Sequence, residues 1–315
     1  IEEAGLIYCQ SKNTIFAWTM GITHHAHGVE NVQMLAALAM MRGMLGKPGA
    51  GLLPLRGHSN VQGMGSIGVV PNLKEKVFAG LEEHFGIELP TAKGLDTMAC
   101  IERAAEGKID AALCLGGNLF GSNPDAAFAS TALREIGLLV HLSTTLNTGH
   151  ACGLGKETII LPVKARDEES QSTTQESMFN YVRLSDGGDA RHDGPRSEVE
   201  VIASLAEHLA PNAPIEWESM RDHDSIRQAI AAVVPGFEAI ASIGTTKEEV
   251  VVEDRVFHTP SFPTPSGRAT FFAHPIPKLD LHEDELLLMT IRSEGQFNTV
   301  VYEEQDLYRG QERRD

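Results

Sequence analysis

Apolar residues in this chain come in short runs or at helical spacing, and most of these segments empty into a stretch rich in glycine, serine and asparagine. Asn13-Thr14-Ile15-Phe16-Ala17-Trp18 is the first run; it suits a buried strand ending at Met20-Gly21. From Val29 to Leu45 the apolar positions Val32, Leu35, Leu38, Met41 and Leu45 keep helical spacing, and Gly46-Lys47-Pro48-Gly49 stops the helix. A glycine-rich loop is expected from there through about Pro71. Its stretch from Pro54 to Gly63 is too polar for a core strand and too rich in glycine for a helix.

Helical patterns return over Lys74 to Phe85 and Thr97 to Glu106, the second closed by Gly107-Lys108. Ala111 to Leu115 reads as a buried strand running into Gly116-Gly117-Asn118. A helix over Asp125 to Ile136 and strands over Leu138 to Leu142 and Glu157 to Pro162 follow. Strand, loop, helix, strand at this rhythm predicts an α/β fold with a parallel, doubly wound sheet and crossover helices. Ligands on such sheets bind at the carboxyl ends of strands, here the polar loops 19–28, 116–124 and 143–155. Residues 164–194 are polar and turn-rich, and Ser185 to Asp189 is a loop. Helices are expected over Glu198 to Leu209 and Asp224 to Val233, and short strands with proline turns over 243–275. Leu286 to Thr290 opens a new strand that starts a further domain. No internal repeat or low-complexity tract is evident.

A chain of 315 residues, 42% hydrophobic, can hold one large or two ordinary domains. Its formal net charge of −17 argues against nucleic acid as a partner, because phosphate neutralisation needs clustered cations. Cys9, Cys100, Cys114 and Cys152 are scattered without CxxC or zinc spacing; placing Cys100 and Cys114 in helix and strand cores makes a reducing, cytoplasmic compartment the default. No apolar run spans a bilayer, and no signal peptide is visible; the chain begins at Ile1 rather than Met.

The chemistry concentrates in Pro54-Leu55-Arg56-Gly57-His58-Ser59-Asn60-Val61-Gln62-Gly63. An arginine among glycines offers a planar fork for a carboxylate, phosphate or other oxyanion, and Asn60 and Gln62 suit the edge of a heterocycle. Equally, Arg56 could cap a helix or pair with one of the 43 acidic residues. His24, His25 and His27 lack a carboxylate or cysteine at ligand spacing, so lining a polar pocket is the better reading and no metal ligand is assigned. Gly116-Gly117-Asn118 precedes a helix, where backbone amides can face a pyrophosphate, although an unliganded turn would look the same. There is no GxSxG elbow and no GxGxxG fingerprint, which removes support for a hydrolase triad and for an ordinary NAD-dependent dehydrogenase. Asp167-Glu168-Glu169 and Glu303, Glu304 and Asp306 read as solvated faces.

Trp18-Thr19-Met20-Gly21-Ile22-Thr23-His24, Gly28-Val29-Glu30-Asn31, Gly46 to Gly51 and Pro54 to Gly63 together resemble the bis-molybdopterin guanine dinucleotide oxidoreductases, in the formate dehydrogenase-like branch. Leu115-Gly116-Gly117-Asn118, Ile159-Ile160-Leu161-Pro162, Phe262 to Ala269, Gln296-Phe297-Asn298-Thr299 and Tyr308-Arg309-Gly310 fit in the same order. The resemblance implies α/β domains of the formate dehydrogenase/DMSO reductase type within a longer subunit. Residues 1–56 would finish one cofactor domain, 57–165 would form a second, 166–284 a mixed connecting region, and 285–315 the start of a C-terminal dinucleotide-binding domain.

It further implies a molybdenum bis(molybdopterin guanine dinucleotide) cofactor and two-electron chemistry on a small-molecule substrate, formate to CO2 being the default. Arg56 would hold the substrate carboxylate. Gly21, His24, Gly57, His58, Asn60, Gln62 and Gly63 would line the pterin, and Gly116, Gly117 and Asn118 a dinucleotide arm. The molybdenum ligand and any iron–sulfur cluster would lie upstream of Ile1, and an electron-transfer subunit is a partner consistent with the family. Histidine stands at 24 and 58 where the family usually carries glutamine, which leaves the substrate open. The alternative is a folded cofactor-binding fragment that is catalytically incomplete.

Overall fold

The computed structural model describes residues 1–72, 74–178, 181–252 and 259–278, with short stretches at 281–282, 284–288, 296–297, 300–301, 304–306 and 310–312. In chain order its elements are α1 Glu2–Gln10, β1 Ile15–Trp18, α2 Met20–Thr23, α3 Gly28–Met41, β2 Gly51–Pro54, α4 Val61–Ser66, α5 Glu75–Phe85 and α6 Thr97–Ala105. There follow β3 Ala111–Leu115, α7 Ala126–Leu133, β4 Leu138–Ser143, α8 Gly149–Cys152, β5 Glu157–Pro162, β6 Thr173–Glu176 and β7 Tyr181–Ser185. The last named are α9 Glu198–Leu209, α10 His223–Val233, α11 Ile243–Thr246 and β8 Val250–Val251. The fold is α/β with parallel sheets, as the alternation of runs and helices predicts. No described helix is long and apolar enough to cross a membrane.

Two compact units emerge: Ile1–Gly94 with Arg166–Arg191 and Val199–Ile276, and Leu95–Ala165 with His192–Glu198 and Pro277–Asp315. In the first, β1 and β2 pair in parallel from Ile15↔Gly51 to Trp18↔Pro54, joined by the crossover helix α3. The helix stops at Met41, earlier than its apolar spacing predicts. Arg42 is drawn to the carbonyls of Tyr8 and Ser11 and over the Tyr8 ring, and Gly43 turns the chain at φ 62°. A separate core of Val77, Val182, Val233, Val234, Phe237, Ile240, Ile243 and Val252 joins α5 and α10 to the antiparallel sheet β6-β7-β8.

Several expectations in this unit need correction. The loop from Gly51 to Pro71 contains a strand and a helix: β2, and α4 despite Gly63 and Gly65. Tertiary anchoring of Asn60, described below, overrides the glycine content. The segment 164–194 holds the β6–β7 hairpin, and the strands expected over 243–275 reduce to β8 among the described residues, with α11 before it. Ile15 is 55% exposed, so β1 is no buried strand. Glu169 belongs to no solvated face: it is 7% exposed, and its carboxylate accepts the Gln171 N–H.

In the second unit β3, β4 and β5 form a parallel sheet in which Ala111, Leu138 and Glu157 start in register. One face packs Ala112, Cys114 and Leu139 against Ile101, Ala104, Ala132, Leu133 and Ile136 of α6, α7 and the turn after α7. Asp96 and Asp125 cap these helices by accepting the Ala99 and Phe128 N–H groups. On the other face Leu113 and Leu115 are exposed, so β3 is half-buried rather than buried. Cys100 is exposed, against the core position expected for it, and all four cysteines are free thiols. Leu286 to Leu288 form no strand; Met289 and Thr290, and Asn298, Thr299, Tyr308 and Arg309 of the later motifs, lie outside the described residues.

Candidate active site

In the first unit the ends of β1 and β2 lie side by side, where the Leu55 N–H donates to the Trp18 carbonyl (2.8 Å). The two loops singled out by sequence, 19–28 and 56–63, therefore leave adjacent parallel strands at their carboxyl ends. Gly21 lies in α2 and His24 caps it, both exposed; the Gly21 carbonyl is bonded by the His25 ring (2.8 Å). Gly57 approaches Met20 of that same turn.

Leu55, Arg56, His58, Asn60, Val61 and Gln62 form one wall of a cavity of about 220 Å3. The opposite wall comes from the hairpin: Gln175, Glu176, Ser177, Met178, Tyr181 and Arg183. The structure thus brings Arg56, His58, Asn60 and Gln62 together. Arg56 donates through Nε to the Met178 thioether (3.1 Å), and its two terminal nitrogens make no hydrogen bond among the described residues. That leaves the outer fork of the guanidinium open for a bidentate anion.

Local anchoring explains the shape of this loop. Asn60 takes a left-handed conformation (φ 58°), which asparagine tolerates, and its Oδ1 accepts the Glu176 N–H at 2.9 Å. Any side chain at Gly63 would stand 2.2 Å from that oxygen, so Gly63 is demanded by packing whatever it lines. Arg166 reaches back to Ser59 (Nη1 to Oγ, 3.2 Å) while its Nε holds Thr173 of β6 (3.1 Å). Burial pulls the Arg166 guanidinium below its ordinary value. Sequence reasoning missed the hairpin residues and Arg166; the alternation of Tyr181-Val182-Arg183-Leu184 was the available signal.

Gly116, Gly117 and Asn118 lie in the second unit, where β3 ends. Both glycines are left-handed (φ 64° and 73°), with open space where a Cβ would be. Asn118 Oδ1 accepts the Gly121 N–H (2.8 Å) and its amide donates to Thr148 Oγ1 (2.8 Å). From the next strand's loop, Asn147 donates to the Gly117 carbonyl (3.0 Å) and accepts from the Gly149 N–H (2.8 Å). The result is an open, uncharged cradle of backbone and carboxamide groups.

The donor sets suit a large polar ring system with phosphate arms. The cavity offers carboxamides, an imidazole and a guanidinium fork, and the cradle offers neutral backbone without a side chain in the way. Among the described residues no three His, Cys, Asp or Glu side chains converge on one point. A metal held here would need its ligands from the pterin and from residues outside that set.

Residues 7–177 match the molybdopterin oxidoreductase family model. The chain belongs to that family of oxidoreductases, whose cofactor is a molybdenum–pterin. It is 37% identical over 325 residues to an uncharacterized oxidoreductase of Mycobacterium tuberculosis H37Rv, covering 98% of this chain and 41% of that protein. It is 34% identical over 330 residues to protein YdeP of Escherichia coli K12, 98% of this chain and 42% of the relative. Formate dehydrogenase H of the same organism is 34% identical over 149 residues, 44% of this chain and 21% of the relative. The chain therefore spans about two fifths of the length of the longer-matched relatives.

Proposed function

We propose that the protein carrying this chain is a molybdenum-dependent oxidoreductase acting on a small oxyanion, with formate oxidation to CO2 as the first reaction to test. The convergence of Arg56, His58, Asn60 and Gln62 on one cavity at the carboxyl end of β2, with the Arg56 fork open, is the observation that carries this reading. Partial likeness to a formate dehydrogenase supports the choice of substrate.

In this reading Arg56 would bind both carboxylate oxygens and so fix the orientation of formate in the cavity. Oxidation releases one proton and two electrons and leaves neutral CO2. When bound, a bis(molybdopterin guanine dinucleotide) supplies the two-electron step. His58, Asn60 and Gln62 would orient the pterin edge, Gly21, His24, Gly57 and Gly63 would line it, and Gly116, Gly117 and Asn118 would take a dinucleotide arm. The assignment of 1–56 and 57–165 to two cofactor domains, of 166–284 to a connecting region and of 285–315 to the opening of a further domain belongs to the same proposal. So do an upstream iron–sulfur cluster, an electron-transfer subunit and a cytoplasmic location.

A second reading follows from the coverage: these 315 residues hold part of the cofactor without completing a catalytic site. Metal and pterin analysis of the full-length protein tests both. About one molybdenum and two pterins per chain, with formate-dependent dye reduction, is the expected result. Pterin without turnover favours the second reading, and no pterin overturns both.

A further inference from the structure

Beneath the Gly116–Asn118 cradle lie two histidines whose place in the chemistry is not yet explained. His141, on β4, is 6% exposed, and the His150 ring of α8 meets it edge to face with centroids 4.9 Å apart. The Nε2 atoms of both rings are buried and lack a hydrogen-bond partner among the described residues. His150 Nδ1 accepts the backbone N–H of Asn147 (3.1 Å). That bond fixes the tautomer: Nδ1 carries the lone pair, so the neutral ring holds its proton on Nε2. Asn147 in turn grips Gly117 and Gly149 through its side-chain amide, so Asn147 links His150, by its backbone N–H, to the cradle, by its side chain.

We propose that His150 is a positioning residue for the Gly116–Asn118 loop that works only as a neutral imidazole, so that protonation of the histidine pair loosens the cradle and lets its ligand go. A proton on His150 Nδ1 would face the Asn147 N–H with a second donor and abolish the bond. Among the described residues nothing nearby compensates that charge. In register with His141 stand Cys114 on β3 and Ile160 on β5; α8 adds Cys152, and α7 adds Ser130, bonded to the Cys152 carbonyl. No carboxylate pairs with either ring among the described residues, and Lys156 and Glu135 pair with each other in the exposed segments before β5 and after α7. Burial, and then the charge of His150, hold His141 below the ordinary histidine value.

The identity of the released ligand, the dinucleotide arm, rests on the reading given under the proposed function; the His150 switch itself does not. Both are tested on the full-length protein. Amide hydrogen exchange at Asn147 and Gly149, corrected for its intrinsic pH dependence, should lose about fivefold protection between pH 8 and pH 5, the worth of about one hydrogen bond. Pterin retained after gel filtration should fall over the same range. His150→Asn keeps an acceptor near the Nδ1 position without titrating, and both profiles should become flat at the high-pH level. His150→Ala should sit at the low level at every pH. A wild-type exchange profile that is flat, or one unchanged in His150→Asn, overturns the proposal. Absence of pterin at pH 8 refutes the cofactor reading and leaves the exchange measurement to decide the role of His150.

Discussion

Two loops, each leaving the carboxyl end of a parallel strand, are held in opposite ways. The loop at 56–62 is fixed from far along the chain: Arg166, Glu176 and Met178 reach it across more than one hundred residues of sequence. It is mostly exposed and is flanked by charge, with Arg56 and Arg183 on its cavity. The loop at 116–118 is fixed by its neighbour, 30 residues on, through neutral Asn147 and Thr148 and the half-buried His150. A charged, remotely braced loop can change its grip when the hairpin changes, whereas a neutral, locally braced one depends on its own sheet. The first arrangement ties the pocket to the hairpin; the second ties the cradle to the Asn147–His150 bond on its own sheet.

The sheet beneath the neutral cradle is the firmest part of that contrast, and Leu139 is its centre, with no exposed surface. Leu139→Ala should destabilise the second unit by about 2–5 kcal/mol through lost burial and a residual cavity. Unfolding followed by exchange of the β3–β5 amides would read it; a loss below about 1 kcal/mol would mean that the cradle does not depend on its sheet. On the charged side, Arg56→Lys should leave pterin content intact and lower turnover about a hundredfold, since a point charge cannot replace the open fork. Unchanged turnover would remove Arg56 from the site.

The same contrast governed what could be read from sequence. The second unit was legible because its strands, caps and crossover helices are local: Asp96 and Asp125 open the helices, and β3, β4 and β5 follow at regular intervals. The motif from Arg56 to Gln62 was legible as chemistry but not as structure. Asn60 adopts its left-handed turn, and α4 forms despite its glycines, because a hairpin more than one hundred residues away donates a backbone N–H to the Asn60 side chain. Nothing in the local composition of Thr173-Thr174-Gln175-Glu176 announces such a partner. Glu169 and Cys100 failed for a related reason, since burial at the edge of a core is decided by what packs there rather than by residue type.

Asn60 offers a smaller test of the remote brace. Asn60→Gly keeps the φ of 58° and deletes the bond to Glu176, so it should cost about 1 kcal/mol and raise the KM for an anionic substrate more than it lowers kcat. Equal effects on both would show that the hairpin braces the reacting geometry itself. His141 probes the neutral side. Its folded-state pKa lies below the unfolded one, so the unfolded chain binds more protons and stability falls as pH drops through about 6.5. His141→Leu should remove that part of the acid-side loss, seen as a urea midpoint that declines less between pH 8 and pH 5 than it does in the wild type.

The smallest expected effect lies on the charged wall. Arg183 pairs with Glu249 while lying over the Tyr181 ring (5.5 Å), and both partners of the ion pair are about half exposed. Exposed pairs of this kind contribute little because solvent already screens them. Glu249→Gln should therefore leave the unfolding midpoint where it is, yet it strips a negative charge from the rim of a cavity that is read here as an anion site. Anion affinity at low salt should rise by less than about twofold, and the gain should vanish in high salt. A marked loss of affinity instead would mean that Glu249 holds Arg183 in a binding pose, and the remote bracing of the pocket would then extend from the hairpin to β8 and the residues before it.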